Sequence, residues 1–110
     1  MIGHIELFVP DPIEASNLYQ KVFGFELTET QPGPFVWLKS DSVELLLRPG
    51  KPTGTAAYEK LGMVLVIYAK DVAAQTASMN NNGFRLLGDD SPGCPVYSDP
   101  YGLRWQIVSA

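Results

Sequence analysis

His4-Ile5-Glu6-Leu7-Phe8-Val9 and Val64-Leu65-Val66-Ile67-Tyr68-Ala69 stand sixty positions apart and alternate in the same way. Shortly after each comes an aspartate, Asp11 or Asp71, placed to open a helix. Further on, Gly24-Phe25-Glu26-Leu27 returns as Gly83-Phe84-Arg85-Leu86. A strand, a helix and a Gly-Phe strand start, met twice in 110 residues, form an internal duplication.

In the first copy, a strand over about residues 2–9 puts Ile5, Leu7 and Val9 on a core face. His4, Glu6 and Phe8 take the other face, an unusual set for open solvent. Asp11-Pro12-Ile13-Glu14 reads as a capped helix start with proline at the first helical position. Ala15, Leu18, Tyr19, Val22 and Phe23 make its apolar stripe, and Gly24 is placed for a left-handed cap. Phe25 to Glu29 begins a second strand, Pro32-Gly33-Pro34 turns the chain, and Phe35 to Leu38 is a third strand. Ser40-Asp41-Ser42 makes a hairpin into Val43–Arg48, where Val43, Leu45 and Leu47 oppose Glu44, Leu46 and Arg48. The module reads βαβββ.

The second copy begins near Met63, with Leu65, Ile67 and Ala69 toward the core and Val64, Val66 and Tyr68 opposite. Its helix runs from Asp71 to about Asn81, a strand covers Phe84–Leu87, and Asp89 to Gly93 form a loop. Val96-Tyr97 is a short strand and Asp99-Pro100-Tyr101-Gly102 a turn. In the closing strand Leu103, Trp105 and Ile107 alternate against Arg104, Gln106 and Val108. The expected fold class is therefore α+β: two βαβββ modules of curled mixed sheet around a cup-shaped cleft. The whole chain, 1–110, forms one domain, with module one at about 1–48, a linker at 49–62 and module two at 63–110. The linker is rich in breakers, with room for one helical turn from about Ala56. A ferredoxin-like dimeric barrel competes, but does not require two Gly-Phe strand starts.

Composition narrows the function classes. Eight basic against twelve acidic residues, net charge -4, argue against a nucleic-acid partner and suit a neutral or cationic small molecule. The one cysteine, Cys94, cannot form an internal disulfide, which fits a reducing cytoplasm; with no histidine near it in sequence, it reads as inert. No secretory signal is visible and no apolar run approaches the roughly 20 residues that span a bilayer. A soluble cytoplasmic protein is the expectation.

The paired βαβββ pattern, His4 on strand one, Ser42-Val43-Glu44-Leu45 in strand four and Asp99-Pro100-Tyr101-Gly102-Leu103 before the last strand resemble the vicinal oxygen chelate superfamily. That group includes glyoxalase I, bleomycin-resistance proteins, fosfomycin-resistance enzymes and extradiol dioxygenases. The resemblance implies a homodimer and a small-molecule cup. It also implies up to four metal ligands, on the first and last strands of each module, which fall here on His4, Glu44, Val64 and Gln106. Val64 cannot ligate, and Gln106 offers a neutral amide where a carboxylate is usual. A catalytic zinc site normally takes three protein ligands and an open position. No cofactor is therefore expected; a divalent metal (Zn, Ni, Mn or Fe) at His4, Glu44 and Gln106 is the alternative.

His4 and Glu44 are the candidate catalytic residues. Side by side on neighbouring strands they could act as a general acid/base, as a charged anchor, as the remnant of a metal site or as a structural hydrogen bond. The candidate ligand-binding set is Glu6, Phe8, Trp37, Leu46, Arg48, Val64, Val66, Tyr68, Tyr97 and Arg104. For the aromatic members the competing role is packing, and for the two arginines a place near strand ends with the head in water. Three functions follow: metal-independent binding of the bleomycin-resistance type; a metal-dependent lyase, isomerase or dioxygenase of the glyoxalase type; or a regulatory domain with a collapsed pocket.

Overall fold

The computed structural model describes residues 2–51 and 63–110, which form two compact units divided between Pro52 and Thr53. The first contains β1 (Ile5–Val9), α1 (Pro12–Phe23), β2 (Glu26–Gln31), β3 (Phe35–Ser40) and β4 (Val43–Pro49). The second contains β5 (Leu65–Ala69), α2 (Val72–Asn81), β6 (Arg85–Ser91), β7 (Cys94–Ser98) and β8 (Arg104–Ser109). The α+β class and the doubled βαβββ pattern are as the sequence leads one to expect. Most of the linker, including its suggested helical turn, lies outside the described residues. Among these, no helix is long and apolar enough to cross a membrane.

Each helix starts where its aspartate satisfies backbone N–H groups that the helix cannot. Asp11 Oδ1 accepts from the N–H of Ile13 and of Glu14, both at 3.1 Å, with Pro12 in the first turn. Asp71 Oδ1 accepts from Ala74 N–H at 3.0 Å. Both ends need a left-handed residue, and only glycine reaches that region without strain. Gly24 sits at φ 71° and Gly83 at φ 84°, and the phenylalanine after each is buried.

In each unit the first strand runs parallel to the last, in the orders β1-β4-β3-β2 and β5-β8-β7-β6. The registers match: Ile5 faces Leu45 and Leu7 faces Leu47, as Leu65 faces Trp105 and Ile67 faces Ile107. Leu7, Val9, Val36, Leu38, Leu45 and Leu47 share the core face of the first sheet and are almost wholly buried. Ala15, Tyr19 and Val22 on α1 are buried in the same unit. Burying a side chain of this size contributes roughly 1.5–3 kcal/mol, so this layer dominates the unit's stability. The second unit relies on Trp105, Ile107, Ala69 and Phe84; α2, with little apolar stripe, buries only Met79 among its described residues.

Several strand bounds differ from the sequence reading. β1 begins at Ile5, β2 runs on to Gln31, β4 takes in Pro49, and β7 begins at Cys94. β6 runs to Ser91, so Asp89, Asp90 and Ser91 are strand and not loop. The cause is shared by β2 and β6: both are edge strands exposed at every position. An edge strand can pair on one side while every side chain faces water, so it lacks the apolar alternation by which strands are read. A bulge falls at the same place in each, between Leu27 and Glu29 and between Leu86 and Gly88.

The turn before β8 is built on one carboxylate. Asp99 is 4 % exposed; its Oδ1 accepts from the N–H of Tyr101 and Leu103, each at 2.9 Å. Its Oδ2 accepts from Trp105 Nε1 at 2.9 Å, which ties the turn to a ring that is itself 1 % exposed. A buried carboxylate is tolerated only when so bonded, and removing it leaves three donors unsatisfied. Asp99→Ala should lower unfolding free energy by about 3 kcal/mol or more in denaturant titration. Asp99→Asn should recover only part of this, since its amide cannot accept on both sides.

Candidate functional site

The face of the first sheet opposite its core is where the candidate residues gather. Register sets them in two cross-strand rows. Glu6 on β1 lies beside Leu46 on β4, then Trp37 on β3, then Glu29 on β2. In the next row Phe8 lies beside Arg48. The bulge decides the far end of the first row. Leu27 pairs with Leu38, so an unbroken ladder would put Thr28 opposite Trp37; the extra residue brings Glu29 there instead. Thr28 then turns its hydroxyl to donate to the Trp37 carbonyl at 3.3 Å.

A continuous polar and aromatic chain crosses this face. Arg48 Nη1 donates to Glu6 Oε1 at 2.8 Å, and the other carboxylate oxygen meets His4 Nε2 at 2.9 Å. The guanidinium also lies 5.5 Å from the Phe8 ring centre and 5.3 Å from that of Phe35. The His4 ring meets Trp37 edge-on, with centroids 4.8 Å apart, and Trp37 Nε1 donates to Gln31 Oε1 at 3.1 Å. These ion pairs are partly solvated and so contribute little to stability; their effect is to fix directions. Beside them a depression of about 270 Å³ is lined by Thr28, Glu29, Trp37 and Glu44. Leu46, 8 % exposed, is the buried apolar member of this face.

The structure thus brings His4, Glu6, Phe8, Trp37, Glu44, Leu46 and Arg48 onto one face, but not with the expected partners. β1 does lie beside β4, which sets His4 next to Glu44, but the His4 ring bonds to Glu6 on its own strand, two residues on. Arg48 is held against Glu6 and two rings, not left as a free strand-end cation.

In the second module Val64 is half-buried, Val66 and Tyr68 lie exposed on β5, and Tyr97 and Arg104 depart from expectation. Tyr97 pairs with Trp105, which puts it on the core face at 3 % exposure, where it packs instead of meeting a ligand. Arg104 is buried: its Nη1 donates to Ser98 Oγ and to the Gly102 carbonyl, both at 2.9 Å, so it braces the turn instead of reaching water. Gln106 Nε2 donates to Asp90 Oδ2 at 3.2 Å.

Glu29, Thr28, Gln31, Phe35 and Asp90 were not singled out in the sequence. Four of the five sit on edge strands β2 and β6, and Phe35 starts β3. The repeated bulge was the signal for Glu29, legible only once β2 is extended to Gln31.

The metal positions carried over from the resemblance do not form a fitting donor set. Gln106 faces Val66 just as Leu46 faces Glu6, so by register Gln106 is the counterpart of Leu46 and not of Glu44. Val64 offers no donor atom, and His4 Nε2 is engaged by Glu6. Among the described residues no group of three or more histidine, cysteine, aspartate or glutamate side chains could hold an ion.

Comparison with known proteins places the fold. The model of the Glyoxalase/Bleomycin resistance protein/Dioxygenase superfamily matches residues 1–107, and the chain belongs to that superfamily. Among solved structures it resembles the fosfomycin resistance protein FosX from Listeria monocytogenes, complexed with Mn(II) and 1S,2S-dihydroxypropylphosphonic acid. That likeness has TM-score 0.82 and 14% identity, covering 100% of this chain and 90% of that one. Lactoylglutathione lyase from Agrobacterium tumefaciens is similar at TM-score 0.68 and 21% identity, covering 97% and 91%. A possible glyoxalase from Bacillus cereus is similar at TM-score 0.75 and 19% identity, covering 98% and 97%. No curated protein matches. At these identities the likeness is one of fold.

The Arg48 hydrogen bond, followed by that of His4, holds the Glu6 carboxyl below its usual range. A depressed carboxylate contributes stability above its unfolded pKa, and that contribution is lost as pH falls through the lower folded value. Carboxyl NMR titration should therefore place the Glu6 midpoint below the ordinary value of about 4.3. Arg48→Met should move it upward; an unmoved midpoint would show that the guanidinium does not govern it.

Proposed function

We propose that this chain binds a small molecule on the open face of its first module and sequesters it without a metal and without turnover, in the manner of bleomycin-resistance proteins. One observation carries the reading: the Trp37 side chain is fixed by Gln31 and His4 beside a depression of about 270 Å³. A concave surface with one aromatic wall and a few convergent polar groups is the usual form of a small-molecule site. A ring held in place before binding costs less entropy to engage than a free one. Phe8, Arg48 and Leu46 extend the contact surface. His4 and Glu6 orient it, and the remaining candidates Val64, Val66 and Tyr68 belong to the second module. The reading includes a homodimer, from the superfamily resemblance, and a cytoplasmic location, from the lone Cys94.

The competing reading is a metal-dependent lyase, isomerase or dioxygenase of the glyoxalase type. It has in its favour that FosX structures of the same fold are complexes with Mn(II). Against it stand the donors: a valine at one ligand position, and a histidine already bonded to a carboxylate.

Protein purified without chelator should carry far less than one equivalent of transition metal by elemental analysis. Titration with Mn(II) or Zn(II) should give no saturable heat. A stoichiometric ion that leaves with EDTA would overturn metal independence and promote the enzyme reading.

A further inference from the structure

We infer that the depression beside Trp37 selects organic cations: a quaternary or protonated amine carried on an apolar group. This deepens the proposed function and rests on it.

The lining is uneven in charge and kind. It has one indole, one hydroxyl and two carboxylates, Glu29 and Glu44, that come from different strands. The bulge in β2 sets Glu29 directly across from Trp37, and Glu44 lies on β4 two positions before Leu46, the residue paired with Trp37 on its other side. The two acids thus approach the indole from opposite sides. Both are exposed, and neither makes a hydrogen bond or ion pair among the described residues. Lys39, the cross-strand neighbour of both Glu44 and Glu26, is a described cation placed to neutralise Glu44, and it too is exposed and forms no ion pair among the described residues.

The indole separates this pocket from a merely acidic surface, since Glu26, also exposed on this face, lies across from Lys39 and outside the lining. Glu6, another carboxylate of the face, has its charge taken up by Arg48 and His4. Glu29 and Glu44 keep theirs among the described residues, next to an aromatic ring whose orientation is fixed at its N–H and by its contact with the His4 ring. An indole face attracts cations through its quadrupole, and a carboxylate within a few ångströms reinforces the attraction. An anion would meet two carboxylates that no cation among the described residues pairs with. A neutral ligand would gain only ring contact. The net charge of -4 favours the same sign of ligand at long range.

The test titrates the full chain with benzyltrimethylammonium, benzyl alcohol and benzoate, following the Trp37 indole N–H by NMR, with the buried Trp105 N–H as internal reference. The cation should shift the Trp37 signal saturably, and raised salt should weaken it. Glu29→Gln with Glu44→Gln should weaken binding by about tenfold, and Trp37→Leu, followed by calorimetry, by about fivefold. Lys39→Met should strengthen it about twofold by removing the competing charge. Both acids are exposed, so the variants should keep the wild-type unfolding transition, which is checked alongside. Binding of the cation no tighter than of benzyl alcohol, or unaffected by the double glutamine variant, overturns the inference. If benzoate or benzyl alcohol shifts Trp37 while the cation does not, the small-molecule reading survives and only cation selectivity falls. If none of the three shifts it, the cation inference falls, and the proposed function keeps its own test in the metal titration.

Discussion

The parallel pairing of the first and last strand in each module is the constraint from which the rest follows. A parallel pair cannot be closed by a tight turn, so the chain must travel through a helix and two further strands before it returns. That detour puts the helix on one face and leaves the other open. It also brings residues forty positions apart, such as Glu6 and Leu46, into one row. Arg48 reaches Glu6 only because strand four lies in this register against strand one. A slip of one residue would send Leu45 and Leu47 outward and turn Glu44 and Arg48 into the core, at the cost of several buried side chains.

Because the two modules share this frame down to the position of a bulge, their open faces can be compared row by row. Glu6, Leu46, Trp37 and Glu29 in the first correspond to Val66, Gln106, Val96 and Gly88 in the second. The first row holds two carboxylates and an indole; the second holds two valines, a glycine and one amide that is tied to Asp90. The frame was kept and the chemistry diverged. The second module's polar investment went into its turn, where Asp99, Ser98 and Arg104 are bonded among backbone and Trp105.

Much of the frame was legible in sequence because its signals are local. Asp11 and Asp71, Gly24 and Gly83, and the alternation of β1 and β5 each follow from caps or from a period of two. The edge strands were not legible, since a strand that is solvated on every side chain has no period to read. That one gap hid Glu29 and Asp90. The partners of the polar residues were hidden for a different reason. His4 is beside Glu44 by strand order but bonds to Glu6 along its own strand, and choosing between two carboxylates within reach requires side-chain coordinates. Tyr97 and Arg104 failed in the same way, because register and turn geometry, not residue type, decide whether an aromatic or a cation is buried.

The same rows bear on how a metal centre and a binding face differ in what they ask of a scaffold. A metal centre needs its donors pointing at one spot, so replacing one by valine and engaging another elsewhere removes the geometry as a whole. A binding face has no such threshold; contacts on a preformed surface each contribute a part. In this chain the histidine at the first-strand position is bonded to Glu6 and, through its ring contact, helps to hold Trp37. The carboxylate at the fourth-strand position, Glu44, faces the depression and has no hydrogen-bond or ion-pair partner among the described residues. Both family positions thus have a place on the sheet face that the described side chains define.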